Sequence, residues 1–345
     1  MSRIDVARHL VVRAPNWVGD LVMATPMLEA LCASPRFERV DIVLREHLAP
    51  LLADAPWADR LVPVSSSSRE RAQLAGLGPD AILLLSNSFG AALRAFRARV
   101  PLRLGSALSG RRLLLTHSIV PPSRGGRRMP VPTAHLLRDL TALAGVDTPE
   151  LQPRLYVRDE LRSQVRDELE SAGLGADEDY ILCCPGAAFG AAKLWPPEHF
   201  AAALDELCTE TGARALIGGG PGEEPLMDAV AGSSRTGAIS IARHPRDLER
   251  LKAQVAGSRL LLVGDSGPRW VAAAFQVPCV SVMGPNFPEL TASSLEHCRV
   301  VRLEGLPCSP CIERSCPLGH HRCMRDLPAA RVVAAARELF AEASA

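Results

Sequence analysis

The stretch Arg259-Leu-Leu-Leu-Val-Gly264 runs directly into Asp265-Ser266-Gly267-Pro268, and Val271-Ala-Ala-Ala-Phe275 runs out of it. A short unbroken apolar run bounded by glycine reads as a buried strand, and a proline just inside the next segment starts a helix at a position where its missing N–H is not needed. The first N–H groups of that helix have no intrahelical partner and the dipole there favours negative charge, so the junction is suited to an anion. The same strand–turn–helix unit recurs along the chain, and its recurrence decides the fold class.

In the first half, Leu10-Val-Val12, Val40-Asp-Ile-Val-Leu44 and Ala81-Ile-Leu-Leu-Leu85 alternate with helical patterns over 21–31, 48–52 and 89–96. In the second half, Tyr180-Ile-Leu-Cys-Cys184, Ala213-Arg-Ala-Leu-Ile217, the run over 260–263 and that over 278–283 alternate with helical patterns over 197–209, 222–230 and up to Phe275. Strands that are apolar throughout, rather than at every second residue, belong to parallel sheets covered on both faces. The expected fold is therefore α/β, with two doubly wound, Rossmann-like domains. A length of 345 residues agrees, since single cores stop growing at roughly 250–300 residues. The expected domains are 1–165 and 175–328, with a charged amphipathic helix over 159–172 at the boundary and a C-terminal helix within 329–345. The segment 111–132, with Pro121-Pro122, Arg124-Gly-Gly-Arg-Arg128 and Pro130, is too polar and too rich in proline and glycine for the core and reads as a long loop.

Composition excludes several classes. With 39 basic and 38 acidic side chains the net charge is +1, and aromatics make up 4%, so neither a global field nor stacking platforms argue for nucleic acid. No apolar run reaches the roughly 18 residues of a spanning helix, and Arg3, Asp5, Arg8 and Arg13 stand where a signal peptide would be apolar. The expected location is the cytoplasm, with peripheral contact to the inner membrane.

Three junctions carry chemistry. Asn16-Trp17-Val-Gly19-Asp20 follows the first strand and opens a helix: Gly19 permits a tight turn, and Asp20 reads either as a helix cap or as a general base at the carboxyl end of the strand, where open α/β sheets bind ligands. Pro185-Gly186-Ala187-Ala188-Phe189-Gly190-Ala191-Ala192-Lys193-Leu194-Trp195-Pro196 has small residues, Ala188 among them, that allow a ligand close to the backbone, and Lys193 supplies a mobile positive charge suited to a diphosphate. Asp265, Ser266 and Gly267 add a carboxylate, a hydroxyl and a bare amide. Glu223 and Glu224, just past Gly218-Gly-Gly-Pro-Gly222, read either as ribose-binding carboxylates or as first-turn acids that suit the helix dipole. Arg124, Arg127 and Arg128 are candidates for acceptor phosphates or carboxylates, and an exposed basic run is also commonly just solvated.

Six of the ten cysteines, Cys32, Cys183, Cys184, Cys208, Cys279 and Cys298, lie scattered among apolar neighbours, as small buried hydrophobes do. The other four form Cys308-x2-Cys311-x4-Cys316-x6-Cys323 with His320 and His321 inside. Thiolates at this density can hold structural zinc or an iron–sulfur cluster, or remain reduced or reversibly oxidised thiols; the spacing is not that of a common zinc ribbon.

Taken in order, Asn16-Trp-Val-Gly-Asp20, the 185–196 loop and Gly264-Asp-Ser-Gly-Pro268 with Val282-Met-Gly-Pro285 resemble the ADP-heptose:lipopolysaccharide heptosyltransferases, the heptosyltransferase II branch most closely, over nearly the whole chain. The resemblance implies a GT-B glycosyltransferase fold that moves heptose from ADP-heptose to the lipopolysaccharide inner core with inversion. The acceptor, with Asn16 and Trp17 near it, would lie on the N-terminal domain and the donor on the C-terminal domain. By the same resemblance Asp20 is the catalytic base, Lys193 the phosphate-binding lysine, and Asp265, Ser266 and Gly267 the donor turn, with no cofactor needed for catalysis. The chain departs from the family at Trp270, where relatives carry histidine: an indole can donate one hydrogen bond but neither accepts one nor takes up a proton. Two other readings stand beside this one: a catalytically silent nucleotide-sugar-binding relative, and the same fold acting on another nucleotide sugar.

Overall fold

The computed structural model describes residues 6–124 and 127–343. It divides into two units, the first running to Tyr156 with Glu289–Ser293 added, the second comprising Val157–Pro288 and the chain from Ser294 onward. The helix Asp159–Ser171 therefore belongs wholly to the second unit, whereas the sequence reading ended the first domain at residue 165.

Each unit is built on a six-stranded parallel sheet. In the first, β1 (His9–Arg13), β2 (Arg39–Arg45), β3 (Leu61–Val64), β4 (Ala81–Leu84), β5 (Leu102–Ser106) and β6 (His117–Ile119) lie in the order β3-β2-β1-β4-β5-β6. A two-residue antiparallel pair, β7 (Ser123–Arg124) with β8 (Arg127–Arg128), follows. In the second, β9 (Tyr180–Cys184), β10 (Arg214–Ile217), β11 (Ile239–Ser240), β12 (Leu260–Gly264), β13 (Cys279–Val282) and β14 (Cys298–Val301) lie in the order β11-β10-β9-β12-β13-β14. Both orders have the same form, so both units are doubly wound and both reverse direction at the first strand's neighbour: β1 beside β4, and β9 beside β12. The central strands are dry, as their unbroken apolar sequences require: Leu10, Val11 and Val12 of β1 and Leu260 to Val263 of β12 expose no surface.

Several local readings change. The helical pattern over 21–31 is two helices, Val18–Met23 and Thr25–Ala33, the second with a proline in its first turn. The segment read as a long loop contains β6 and the β7–β8 pair. The C-terminal helix Ala329–Ala343 packs against the helix Pro197–Thr211 and against β13 and β14, completing the second unit's core through buried Val332, Val333, Ala336 and Leu339.

Candidate functional site

Ligands of doubly wound sheets bind outside the carboxyl ends of the strands where the winding reverses. In the first unit that place is the Ala14-Pro15-Asn16-Trp17 turn after β1, next to the Leu85-to-Ser88 turn after β4. Arg13, the last residue of β1, is fully buried and organises the turn: its Nε donates to Glu70 Oε1 at 2.9 Å and its Nη2 to Asn16 Oδ1 at 2.7 Å. Glu70, also fully buried, receives a second cation from Arg94 Nε at 3.1 Å. Burial pushes the Arg13 guanidinium down, and the Glu70 carboxylate works against that.

Trp17 is the extended residue before the helix Val18–Met23, makes no side-chain cap bond, and is half exposed. Asp20 is therefore not the N-cap; it sits inside the first turn, partly buried, where the dipole favours its anionic form. The neighbouring turn is shaped by Arg111, also fully buried, which donates to Ser86 O, to Ser88 O at 3.3 Å, and to Ser106 O and Ser106 Oγ at 2.9 Å each. Burial lowers this guanidinium to about 10, so it stays charged at neutral pH. Neither buried arginine was singled out as a site residue from sequence. For Arg13 the usable signal was a basic residue ending an otherwise apolar strand; Arg111, in the turn after β5, carries no such signal. The backbones of Arg124, Arg127 and Arg128 form the β7–β8 pair; their side chains lie outside what the structure describes.

In the second unit the reversal brings the loop after β9 beside the turn after β12. Lys193 ends a short 3-10 turn, Ala191–Lys193, and its Nζ lies 2.6 Å from Asp265 Oδ2 and 3.1 Å from Asp265 O. Both side chains are about nine-tenths buried, at 12% and 8% exposure. Nζ also sits 4.8 Å from the centre of the Phe189 ring, a cation–π contact. Asn286 Nδ2 donates to the same Asp265 oxygen at 2.9 Å. Asp265 is thus engaged by its neighbours, while Ser266 Oγ is buried and makes no hydrogen bond. Gly267 precedes the helix Pro268–Phe275.

Gly190 is needed twice over: its φ is +152°, and a Cβ there would lie 2.4 Å from the Arg314 carbonyl oxygen. Glu223 fills the space left by Gly186, whose Cβ would fall 2.0 Å from the carboxylate, and accepts from Gly220 N at 2.7 Å. Glu223 thereby joins the β9 loop, whereas Glu224 is paired with Arg246. Ala188 is exposed at the loop's outer edge. Trp195 is buried, stacks edge-on with Phe200 at 4.8 Å and donates to Leu327 O at 3.0 Å, which pins the loop's far end. Trp270 is buried with the Arg269 guanidinium 4.7 Å above its ring.

All ten cysteines are free thiols. Burial pushes Cys183, Cys184 and Cys279 far up, which makes them inert packing. Cys308, Cys311, Cys316 and Cys323 instead line one cavity of about 20 Å³ together with His320 and His321. Among the described residues no three His, Cys, Asp or Glu side chains are already gathered tightly enough to grip an ion, and no helix is long and apolar enough to cross a membrane.

The family model for glycosyltransferase family 9 (heptosyltransferase) matches residues 69–322. Among curated proteins the chain is similar to lipopolysaccharide heptosyltransferase 2 of Salmonella typhimurium, 28% identical over 309 residues covering 85% of this chain and 88% of that protein. Among solved structures it superposes on ADP-heptose lps heptosyltransferase II of E. coli with a TM-score of 0.77 at 23% identity, covering 98% of this chain and 100% of that one. It also superposes on a family 9 glycosyl transferase from Veillonella parvula with a TM-score of 0.80 at 22% identity, covering 99% of both. The expected pair of Rossmann-like domains of the GT-B class is the fold shared with these structures. The chain belongs to glycosyltransferase family 9, the heptosyltransferases.

Proposed function

We propose that this glycosyltransferase moves heptose from ADP-heptose to the inner core of lipopolysaccharide with inversion at the anomeric carbon. Asp20 accepts the proton of the acceptor hydroxyl as its oxygen attacks that carbon; the bond to the β-phosphate oxygen breaks, and ADP leaves with the electron pair. The charge that grows on the diphosphate is met by Lys193, by the Ser266 hydroxyl and by the Gly267 amide, fixed before the reaction and partly shielded from water. Asp265 carries the wrong charge for a phosphate contact, so its part is to hold Lys193 in place. Glu223, lodged against Gly186, is suited to ribose hydroxyls. No step of the transfer runs through a metal.

The observation that carries this reading is the Lys193–Asp265 pair at the second sheet's reversal, 2.6 Å apart beside a buried hydroxyl that makes no hydrogen bond. A lysine and a buried hydroxyl with no hydrogen-bond partner, on neighbouring turns where the winding reverses, suit an incoming anion.

The acceptor side is supported by charge. Residues 81–138 contain ten arginines and no Asp or Glu, in a chain whose net charge is +1. Exposed Arg97, Arg99 and Arg112 lie in the same stretch as exposed Phe96 and Leu113, the latter 93% accessible. Such a segment suits a phosphorylated glycolipid at an anionic membrane surface, and we assign it the acceptor and peripheral contact with the inner membrane.

The test is release of ADP from ADP-heptose in the presence of a core-truncated lipopolysaccharide. Wild type should release ADP and Asp20→Ala should not. Wild type that binds nucleotide without releasing ADP would favour the silent relative, and release only from a competing nucleotide sugar would change the donor.

A further inference from the structure

We propose that Arg314, on the loop between β14 and the C-terminal helix, is a second cation for the donor's diphosphate and acts beside Lys193. The inference rests on the donor assignment made above and adds to it a residue from a distant part of the chain. Lys193 Nζ lies 4.8 Å from the centre of the Phe189 ring, and the Arg314 guanidinium carbon lies 5.4 Å from the same centre. One partly buried ring in the loop after β9 therefore gathers two positive charges.

Like charges gathered on one ring repel, so the arrangement suits the arrival of an anion. The two cations differ in what balances them. Lys193 is 2.6 Å from the Asp265 carboxylate, whereas Arg314 is exposed and, among the described residues, pairs with no carboxylate. Asp265, Lys193 and Arg314 together thus carry one net positive charge. A diphosphate brings more negative charge than a lysine already shared with Asp265 can offset, and Arg314 meets part of the remainder.

The chemistry of the guanidinium fits that place. A guanidinium over an aromatic ring is attracted by the ring and still keeps N–H groups for oxygen acceptors. Two of those N–H groups match two oxygens of one phosphate, a geometry that the ammonium of Lys193 lacks. The Phe189 ring also limits the freedom of a long exposed side chain before the ligand arrives, so less order is lost on binding.

The loop that carries Arg314 is fastened to the donor side of the second unit through its backbone. Arg314 O accepts from Ala192 N at 3.0 Å, directly before Lys193, and His321 Nε2 donates to Ala192 O at 2.8 Å. Ser309 Oγ donates to Gly284 O at 2.8 Å, and the Cys311 and Ile312 N–H groups donate to Pro285 O at 3.0 and 2.8 Å. Gly190 is bare where the two loops touch, since a Cβ there would collide with Arg314 O. None of these bonds uses the Arg314 side chain, so replacing that side chain removes the charge and keeps the loop fastened.

The experiment measures ADP binding by calorimetry on full-length wild type, Arg314→Met and Arg314→Lys over a range of salt concentrations. At low salt Arg314→Met should bind ADP roughly tenfold more weakly, the loss of one charged contact, and Arg314→Lys should recover much of it. Added salt should narrow the gap between wild type and Arg314→Met, because a screened charge is what separates them; a displaced loop would leave the gap unchanged. Should Arg314→Met fail to fold, wild type alone decides: ADP should shield Arg314 from phenylglyoxal in peptide mass spectrometry, and adenosine should not. ADP affinity in Arg314→Met within about twofold of wild type, as for an ordinary exposed charge, overturns the proposal. So does a loss that neither salt nor lysine changes, or an Arg314 that saturating ADP leaves equally reactive. Wild type without affinity for ADP would remove the donor assignment itself; normal binding by wild type leaves only the part of Arg314 at stake.

Discussion

Replacing Lys193 by Met separates what the Lys193–Asp265 pair does for stability from what it does for the reaction. At an effective dielectric of about 20, charges 2.6 Å apart attract by roughly 6 kcal/mol, much of which is offset by the cost of taking both out of water. Removing one partner of a buried pair costs about 3–5 kcal/mol because the other charge is stranded. Here Asn286 still bonds Asp265 at 2.9 Å and both side chains keep some water contact, so the lower end, about 3 kcal/mol, is expected for Lys193→Met. Adding Asp265→Asn removes the stranded charge and should restore most of that loss. Activity should behave differently: with the cation gone from the leaving diphosphate, kcat should fall about 10²–10³-fold in the single variant and stay low in the double. Urea unfolding and ADP release on wild type, both singles and the double complete the cycle. Stability of Lys193→Met within about 0.5 kcal/mol of wild type would show that the pair is not effectively buried. Recovery of activity in the double variant would show that Lys193 serves only to neutralise Asp265.

Three further outcomes follow from the geometry. Gly190→Ala must move the Arg314 carbonyl and hold alanine at φ +152°, costing about 1–3 kcal/mol and raising the donor KM, whereas Gly222→Ala, with φ +86° but open space, should lose stability without touching donor binding; matched denaturation curves and KM values check both. Arg13→Met leaves buried Glu70 with Arg94 alone and frees Asn16, so stability should drop by about 2–3 kcal/mol and the acceptor KM should rise in the refolded fraction. Asp205 gives a pH effect: burial raises its carboxyl, but hydrogen bonds from Ser234, Arg235 N and Thr236 outweigh that and bring it to about 2. Because the folded value lies below the unfolded one, the contribution, about 2 kcal/mol, is present at neutral pH and lost as pH falls from about 4 to about 2; Asp205→Asn should flatten that part of the stability–pH curve.

Most of the central strands were legible because a dry parallel strand is apolar nearly throughout, and β1, β2, β4, β9, β10, β12 and β13 carry that signature with few polar interruptions. Interior β5, broken by Arg103 and Gly105, and the edges were not. β3 contains Pro63, which only an edge strand tolerates, β11 is two residues long, and β6 is partly exposed along its whole length. At the candidate site, Lys193 and Asp265 could each be placed on a strand-to-helix turn from its motif, but that the two turns are neighbours and the side chains pair depends on a strand order that only the fold reveals. Arg13 with Glu70, 57 residues apart, and His321 with Ala192, 129 apart, have no local pattern at all. Asp20 shows the limit from the other side: its place in a first turn was readable, but not that the N-cap is Trp17, which makes no cap bond there.

The most direct test is the product itself. A core-truncated lipopolysaccharide incubated with ADP-heptose and wild-type protein should gain one heptose by mass spectrometry, with NMR showing the anomeric configuration opposite to that of the donor, and should gain none with Asp20→Ala. An unchanged acceptor, a retained configuration, or transfer that survives loss of Asp20 would contradict the account.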